Sequence, residues 1–375
     1  MTTQPPGGIE VRAGAIIAFR LFDIAYAIDL TRAETLWARQ SRGVSRSRLS
    51  ATRPKAVAFG VPPVVISLDP VSIVLNGVAI QADLSARLYD FGVISFAVRI
   101  GVTDLPWAEF AAMMNAADTL LGSAAWAVRW LDLLTRVRTV LAEALERPGA
   151  STLEEDYLVG VVNEFADKPS AVQLQQKIDL VPLLSGESRL LSDGARADIL
   201  RQRFSYYTDD LVVLTWDRAF IYEPRGDSDV MDVIEVANAQ LLELRYYDEL
   251  LDAELPRMYD MVETARRTRI LFAARRFANL ARRFYTLVAE VTELTEKVDN
   301  ALQVTEDVYL ARIYSSALEL FRVRRVSAAV ERKLAIIRDT YTALYDEASS
   351  RRAELMEFLI VVLIVVEVVL SLVRH

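Results

Sequence analysis

The sequence predicts an α+β protein: an N-terminal domain of ferredoxin-like type, a coiled-coil stalk of long helices, and a C-terminal transmembrane helix. Three observations carry this prediction. Residues 1–225 mix strand-like apolar runs with short helical patterns, residues 226–354 repeat apolar residues in steps of three and four, and residues 355–375 are almost wholly apolar. We therefore expect a head, a stalk and a membrane anchor with these boundaries.

The amino-acid composition excludes several kinds of catalytic and metal-binding site. The chain has no cysteine, which excludes disulfides, thiol catalysis and thiolate metal sites, and its only histidine is His375. The net charge of −8 argues against general nucleic-acid binding. The sequence also lacks the GxxxxGK, GxGxxG, HExxH and GxSxG motifs. We therefore expect a protein that is not an enzyme and that holds no cofactor.

Two similar hexapeptides suggest how the head is built. RLFDIA at 20–25 resembles RLYDFG at 87–92, and each is followed by an apolar strand and then by a Trp-containing helix. This repetition predicts a duplicated strand and helix unit, and hence the ferredoxin-like arrangement. Between the two hexapeptides, Asn76 and Gly77 predict a tight hairpin turn.

A helix predicted from Ala124 to Arg147 carries Trp126 and Trp130 on its apolar stripe. Tryptophans four residues apart either line a ligand pocket or pack into the core. The sequence favours the core.

Basic residues cluster in two places outside the predicted core. Each cluster either contacts phosphate groups of RNA or lipid, or is a solvated surface. The first cluster is a polar loop after the first helix, and the second surrounds the turn after the first stalk helix. Their members are Arg39, Arg42, Arg46, Arg48, Arg53 and Lys55 in the loop, and Arg266, Arg267, Arg269, Arg275 and Arg276 at the turn.

Three apolar seams in the stalk follow a heptad spacing. They contain Leu244, Leu251 and Met258, then Phe284 and Val291, then Val330, Ile337 and Leu344, among others. Asp248 is the one charged residue in the first seam. It either pairs with an arginine of a neighbouring helix, with Arg324 and Arg325 as candidates, and so fixes the helix register, or it turns to solvent.

Four acidic residues gather where the first stalk helix begins: Asp227, Asp229, Asp232 and Glu235. Carboxylates at this spacing either gather a hard cation such as Mg²⁺ or stabilise the positive end of the helix dipole. The spacing lacks the glycine and the distal glutamate of a calcium-binding loop, which favours the dipole explanation.

The C-terminal anchor rests on the 18 residues from Met356 to Val373, which would span about 27 Å as a helix. Glu367 lies in the middle of this apolar run, where it either acts as a functional site or packs between copies of the anchor. Arginines at both ends suggest a single pass with the bulk of the chain on the cytoplasmic side. These flanking residues are Arg351, Arg352 and Arg374.

The chain resembles the YagE-like, required-for-meiotic-nuclear-division family. The similar stretches are RLYDFGVISF, WDRAFIYEP, VYLARIYSSALELFRVRRVSAAVERKL and the final MEFLIVVLIVVEVVLSL. The resemblance implies a non-enzymatic membrane protein with an α+β domain, long helices and a C-terminal apolar segment carrying Glu367. It supplies no catalytic residues.

Together these features predict a tail-anchored, oligomeric membrane scaffold whose cytoplasmic head binds a protein partner. Its expected partners are the lipid bilayer, further copies of itself and one unidentified protein. One alternative is a nucleic-acid or ribosome tether that uses the two basic clusters. Another is a carboxylate-metal hydrolase built on Asp227, Asp229 and Asp232.

Overall fold

The computed structural model describes residues 9–40, 43–46, 57–149, 153–187, 189–226, 229–266, 270–300, 302–304 and 309–373. The chain forms two compact units. The first, here called the head, comprises Met1–Glu243 and Val298–Arg324, and the second, the helical unit, comprises Leu244–Lys297 and Arg325–His375.

The strands of the described ranges all lie in the head. In chain order they are β1 Glu10–Asp23, β2 Ala25–Ile28, β3 Val44–Arg46, β4 Val57–Phe59, β5 Val64–Leu75, β6 Val78–Leu88, β7 Val93–Pro106, β8 Leu145–Pro148, β9 Glu154–Phe165, β10 Gln202–Phe204, β11 Leu211–Leu214, β12 Arg218–Tyr222 and β13 Leu302–Val304.

The helices are short in the first part of the chain and long in the last. They are α1 Leu30–Gln40, α2 Trp107–Leu121, α3 Ala124–Val140, α4 Ala171–Lys177, α5 Val181–Ser185, α6 Asp193–Ile199, α7 Val230–Arg266, α8 Ile270–Asp299, α9 Tyr309–Leu320 and α10 Val323–Val373.

Within the described part of the chain, nine strands form one sheet in the order β10-β11-β12-β9-β1-β7-β6-β5-β3. β12 and β9 run parallel, and the other neighbours in this sheet run antiparallel. Consecutive residues from Ala15 to Phe19 of the central strand β1 are all buried. A strand buried on both faces indicates that the sheet is covered on both sides.

The two sides of the sheet are covered by different helices. Phe96 of β7 packs near Trp130 of α3, with ring centroids 6.2 Å apart. Tyr157 of β9 meets Phe321, just after α9, edge to face at 5.3 Å. On that second side the first turns of α7 also contact the sheet, through Arg87 of β6.

The ferredoxin-like prediction is wrong, because the head is built on this nine-stranded mixed sheet. The two similar hexapeptides do not head two separate units. They contact each other, since the amide of Ile24 donates to Gly92 O at 3.0 Å, and just after the first hexapeptide the amide of Ile28 donates to Asp90 O at 3.0 Å. The local repetition was real, but hydrogen bonds between distant strands determine the topology. The predicted hairpin at Asn76 and Gly77 is confirmed, since it joins β5 to β6.

In the helical unit, buried residues recur every seven positions, as the heptad seams predicted. Leu244, Leu251 and Met258 of α7 are buried, as are Phe284 and Val291 of α8 and Val330, Ile337 and Leu344 of α10. Rings of α8 and α10 meet where Tyr285 approaches Tyr341 at 6.0 Å. The three helices therefore bury their seams within one unit.

The prediction of a C-terminal transmembrane helix is corrected by the structure. Among the described residues, no helix combines the length and the apolar character needed to cross a bilayer. The segment is the last part of α10, and Glu357 and Glu367 interrupt its apolar residues. The predicted single-pass membrane localisation is therefore not supported.

Gly92 can be tested as a steric requirement of the head. Its φ is 94°, and a Cβ at this position would lie 1.8 Å from the carbonyl oxygen of Ala25. We expect Gly92→Ala to lower the free energy of unfolding by about 2–3 kcal/mol, measured by urea unfolding followed by circular dichroism. Gly77→Ala is the matched control, because its φ is 80° but no atom lies within 4 Å of the added Cβ. Equal losses in the two variants would contradict this explanation.

Candidate functional site

A buried ionic cluster joins the sheet to α7. Arg87, at the end of β6, places Nη2 2.7 Å from Asp232 Oδ1 and Nη1 2.8 Å from Glu235 Oε2. Glu235 is 3% exposed. Burial raises the pKa of Glu235, while the Arg87 guanidinium and the Ser95 hydroxyl act in the opposite direction. The guanidinium therefore compensates two carboxylates that α7 brings to the sheet.

Further polar residues of α7 are buried. Asn238, Gln240 and Glu243 are each at most 2% exposed. The hydroxyl of Tyr314 in α9 donates to the amide oxygen of Gln240. This buried hydrogen bond helps fix the position of α9 against the first turns of α7 in the head.

Three of the four acidic residues predicted at the start of α7 lie in the described part of the chain. Asp232 and Glu235 face Arg87. The backbone oxygen of Asp229 accepts from Val233 N, and Asp227 lies outside the described residues. In the ranges that the structure describes, no group of three or more histidine, cysteine or acidic residues could hold a metal ion. Sequence reasoning overlooked Arg87, although an arginine inside an apolar strand before YDFG was an available signal.

Arg218, in the WDRAFIYEP stretch, forms a second buried centre. Its Nη1 donates to Asn115 Oδ1 at 2.6 Å and to Leu183 O at 2.9 Å, and its Nη2 donates to Asp118 Oδ2 at 2.6 Å. One side chain of β12 thus holds α2 and α5 in place. The contact explains why an arginine stands between the apolar runs of β11 and β12.

A cavity of about 220 Å³ opens beside Arg218. Its lining includes Arg20, Asp118, Asp156 and Asp217, together with Trp216, which is 73% exposed. Burial raises the pKa of Asp217, and its hydrogen bond from Thr215 and the charge of Arg218 partly offset this. Arg20 is already paired with Asp156 at 2.9 Å, so the charges of this cavity largely satisfy one another.

Both tryptophans of α3 lie in the core, as the sequence favoured. Trp130 is 2% exposed and donates its indole N–H to Leu121 O at 3.1 Å, and Trp126 is 4% exposed. Each also lines a cavity: Trp130 lines the cavity of about 220 Å³, and Trp126, which lies beneath Arg129 at 5.3 Å, lines a cleft between α1, β5 and α3.

Asp248 has a definite partner in the helical unit. Lys333 of α10 donates to its carboxylate at 2.7 Å and also lies 2.7 Å from Asp252. The candidate partners Arg324 and Arg325 are both exposed. The ion pair that fixes the register of α7 against α10 therefore uses a lysine, eight or nine residues further along α10.

Most of the predicted basic clusters cannot be placed as side chains. Arg39 is exposed in the last turn of α1. The other predicted basic residues have side chains outside the described part of the chain: Arg42, Arg46, Arg48, Arg53, Lys55, Arg266, Arg267, Arg269, Arg275, Arg276, Arg351, Arg352 and Arg374.

The C-terminal apolar segment, residues 356–372, is the most unusual surface of the described chain. Its apolar side chains are between 39% exposed, at Val362, and 73% exposed, at Leu372. They occur on every side of the helix, since nine consecutive residues from Phe358 to Val366 are apolar. Glu367 is exposed within this surface.

The chain belongs to the family described as "Uncharacterized protein MJ0711, N-terminal domain", whose model matches residues 13–229. A relative in that family is Uncharacterized protein MJ0711 of Methanocaldococcus jannaschii. It is 25% identical over 231 residues, which cover 61% of this chain and 70% of the relative. No solved structure matches the chain. These matches support an uncharacterised family and do not support the YagE-like assignment. The matched region contains Arg87 and Arg218.

Removing the Arg87 guanidinium should lower the free energy of unfolding substantially. Arg87→Met leaves Glu235 buried without its partner, so we expect a loss of about 3–5 kcal/mol in the free energy of unfolding, measured in urea. Arg32→Met is the control, because Arg32 pairs with Glu143 at the surface and should cost at most about 1 kcal/mol. Adding Glu235→Gln to Arg87→Met should restore part of the loss. Equal effects of the two arginine variants would contradict the cluster's role.

Proposed function

We propose that the protein is a non-enzymatic, homo-oligomeric scaffold. The C-terminal apolar segment joins the copies, and the head is the part that binds a protein partner. The observation that carries the proposal is the exposure of the apolar side chains throughout residues 356–372. A helix that is apolar on every side is normally buried, and large exposed apolar patches mark interaction surfaces.

The occupant of this surface is the same segment of other copies. Each copy carries an identical apolar segment, and a single neighbouring helix would cover only one side of it. A bundle of more than two copies covers all sides. Of the 17 positions, 14 are apolar, and burying half of them stabilises association by on the order of 10–20 kcal/mol. Association costs about 4–15 kcal/mol, so burial of this segment is large enough to offset that cost over most of the range.

The head supplies features that suit binding rather than catalysis. Its buried charges are engaged in structural contacts around Arg87 and Arg218. Its surface carries large exposed apolar side chains, including Trp216 at 73%. A partner protein would bury such side chains.

The two alternatives stay hypotheses. The arginines that would contact nucleic acid in a tether have side chains mostly outside the described part of the chain. For a carboxylate-metal hydrolase, Asp232 is already paired with Arg87.

Assembly through the C-terminal segment is tested by its removal. We expect the full chain, 42.1 kDa per copy, to sediment at three or more times that mass, and a chain ending at Arg352 to sediment as a monomer. Val365→Asp should weaken assembly because it puts a charge into the contact. Val128→Asp is the matched control, since Val128 is also an exposed valine but lies in the head. A monomeric full chain, or one that leaves solution for phospholipid vesicles without associating with itself, would overturn the proposal.

Replacing Glu367 should strengthen association between copies, whereas Val365→Asp should weaken it. In a bundle its carboxylates come together in an apolar contact, which opposes association. We expect Glu367→Leu to lower the dissociation constant roughly tenfold or more, which corresponds to about 1.4 kcal/mol. Sedimentation equilibrium across a dilution series measures the constant. Glu354→Leu is the control, since Glu354 is exposed on the same helix before the segment. If Glu367→Leu dissociates the assembly, Glu367 holds the copies together instead.

A further inference from the structure

The cavity beside Arg218 is small and lies wholly in the head. Its volume is about 220 Å³, below the range of roughly 300–1,000 Å³ that small-molecule sites occupy. The charged and exposed side chains of its lining come from β1, β9, α2 and the turn between β11 and β12. They are Arg20, Asp156, Asp118, Trp216 and Asp217. A cavity of this size suits one side chain of a larger partner better than a whole small molecule.

Acidic groups outnumber basic groups around this cavity. Two guanidiniums, those of Arg20 and Arg218, meet four carboxylates, which leaves two negative charges in excess. The guanidinium side chains are 14% and 7% exposed, whereas the carboxylate side chains are between 33% and 65% exposed. An approaching molecule therefore meets the carboxylates of these ion pairs first. The four acidic residues are Glu154, Asp156, Asp118 and Asp217.

Asp217 is the least compensated of these carboxylates. Its Oδ1 accepts from the Thr215 hydroxyl at 3.0 Å, but its Oδ2 lies 3.9 Å from Arg218 Nε, which is beyond hydrogen-bond distance. Asp118 and Asp156, in contrast, accept from guanidiniums at 2.6 Å and 2.9 Å. Burial raises the pKa of Asp217, as expected for a carboxylate with too little positive charge beside it. A cation from outside the chain would supply that charge.

Trp216 stands at the mouth of the cavity, since it lines the cavity and is nevertheless 73% exposed. Trp130 and Tyr157, which also line the cavity, are buried. The face of an exposed indole attracts an ammonium or guanidinium group, and nearby carboxylates accept hydrogen bonds from the same group. Within the described ranges, no group of three or more acidic residues could hold a metal ion. The cation that fits these residues is therefore an organic one.

We propose that this cavity receives an arginine or lysine side chain of the protein partner. The cationic end pairs with Asp217 Oδ2, and the aliphatic stem packs against Trp216 at the mouth. The inference rests on the proposed function, in which the head binds a protein, and it gives the contact surface of that protein a basic residue. Tryptophan and arginine are the residues that most often dominate the energy of a protein interface.

Capped amino acids test the cavity on the full chain. The probes are Nα-acetyl-arginine amide, Nα-acetyl-lysine amide and Nα-acetyl-citrulline amide, the last having the shape of arginine without its charge. Binding at constant ionic strength is followed by tryptophan fluorescence, since Trp216 is the most exposed of the five indoles. We expect at least one cationic probe to bind saturably, about tenfold or more tightly than citrulline.

Three results would overturn the proposal. The first is that neither cationic probe saturates at millimolar concentration, and the second is that citrulline binds as well as arginine. The third is that putrescine, a free diamine, binds about tenfold more tightly than both capped amino acids, because the cavity would then serve a small amine instead of a partner side chain.

Variants separate the cavity from the net charge of the chain. Asp217→Asn removes the charge and keeps the shape of the side chain, so it should weaken the cationic probes about tenfold and leave citrulline unchanged. Asp156→Asn should weaken them in the same direction, and its 65% exposure makes it harmless to folding. Asp69→Asn is the matched control, because Asp69 is an exposed aspartate of the head outside this cavity. Equal weakening by Asp69→Asn and Asp217→Asn would contradict a local site.

Sedimentation of the same samples separates this inference from the assembly of copies. If the chain assembles but binds neither cationic probe, the basic side chain is wrong and the C-terminal contact stands. If the chain is monomeric but binds the arginine probe through Asp217, the assembly is wrong and the cavity stands.

Discussion

The buried ion pairs of Arg87 are the interaction on which the arrangement of the head depends. Two carboxylates on successive turns of α7 meet one guanidinium at the end of β6. Sliding the helix by a turn would leave Arg87 or Glu235 buried without a partner, which is far more costly than a mismatched apolar contact. Together with Gln240 and Tyr314, the cluster makes the first turns of α7 part of the head, although the later turns belong to the helical unit.

Local patterns in the sequence predicted local structure well. The hairpin at Asn76 and Gly77 and the heptad spacing of Leu244, Leu251 and Met258 both depend on residues close together in the chain. What the sequence could not give is the pairing of distant strands. Nothing near Arg218 shows that β12 runs parallel to β9, because that register is decided by hydrogen bonds across about 60 residues of intervening chain.

Candidate sites were harder to predict for a related reason. Asp248 was recognised as unusual, but its partner Lys333 lies 85 residues away and only the packing of α7 on α10 selects it. The acidic cluster at Asp232 was visible in the sequence, but its purpose depended on Arg87. The apolar C-terminus was equally visible, but no described helix has the length and apolar character of a membrane span.

Among the described residues, the sheet is only partly covered at one of its edges. β3 pairs with Val64–Ile66, and the rest of β5, to Leu75, has no described strand outside it. A long exposed edge strand is a template for pairing with another chain. Where several heads are held close together, their local concentration far exceeds that of free molecules. The register shift between Leu68 and Val71, which contains Pro70, interrupts this edge, because a bulge bends the strand and proline donates no ladder hydrogen bond. The interruption opposes joining of the heads sheet to sheet into open-ended fibrils.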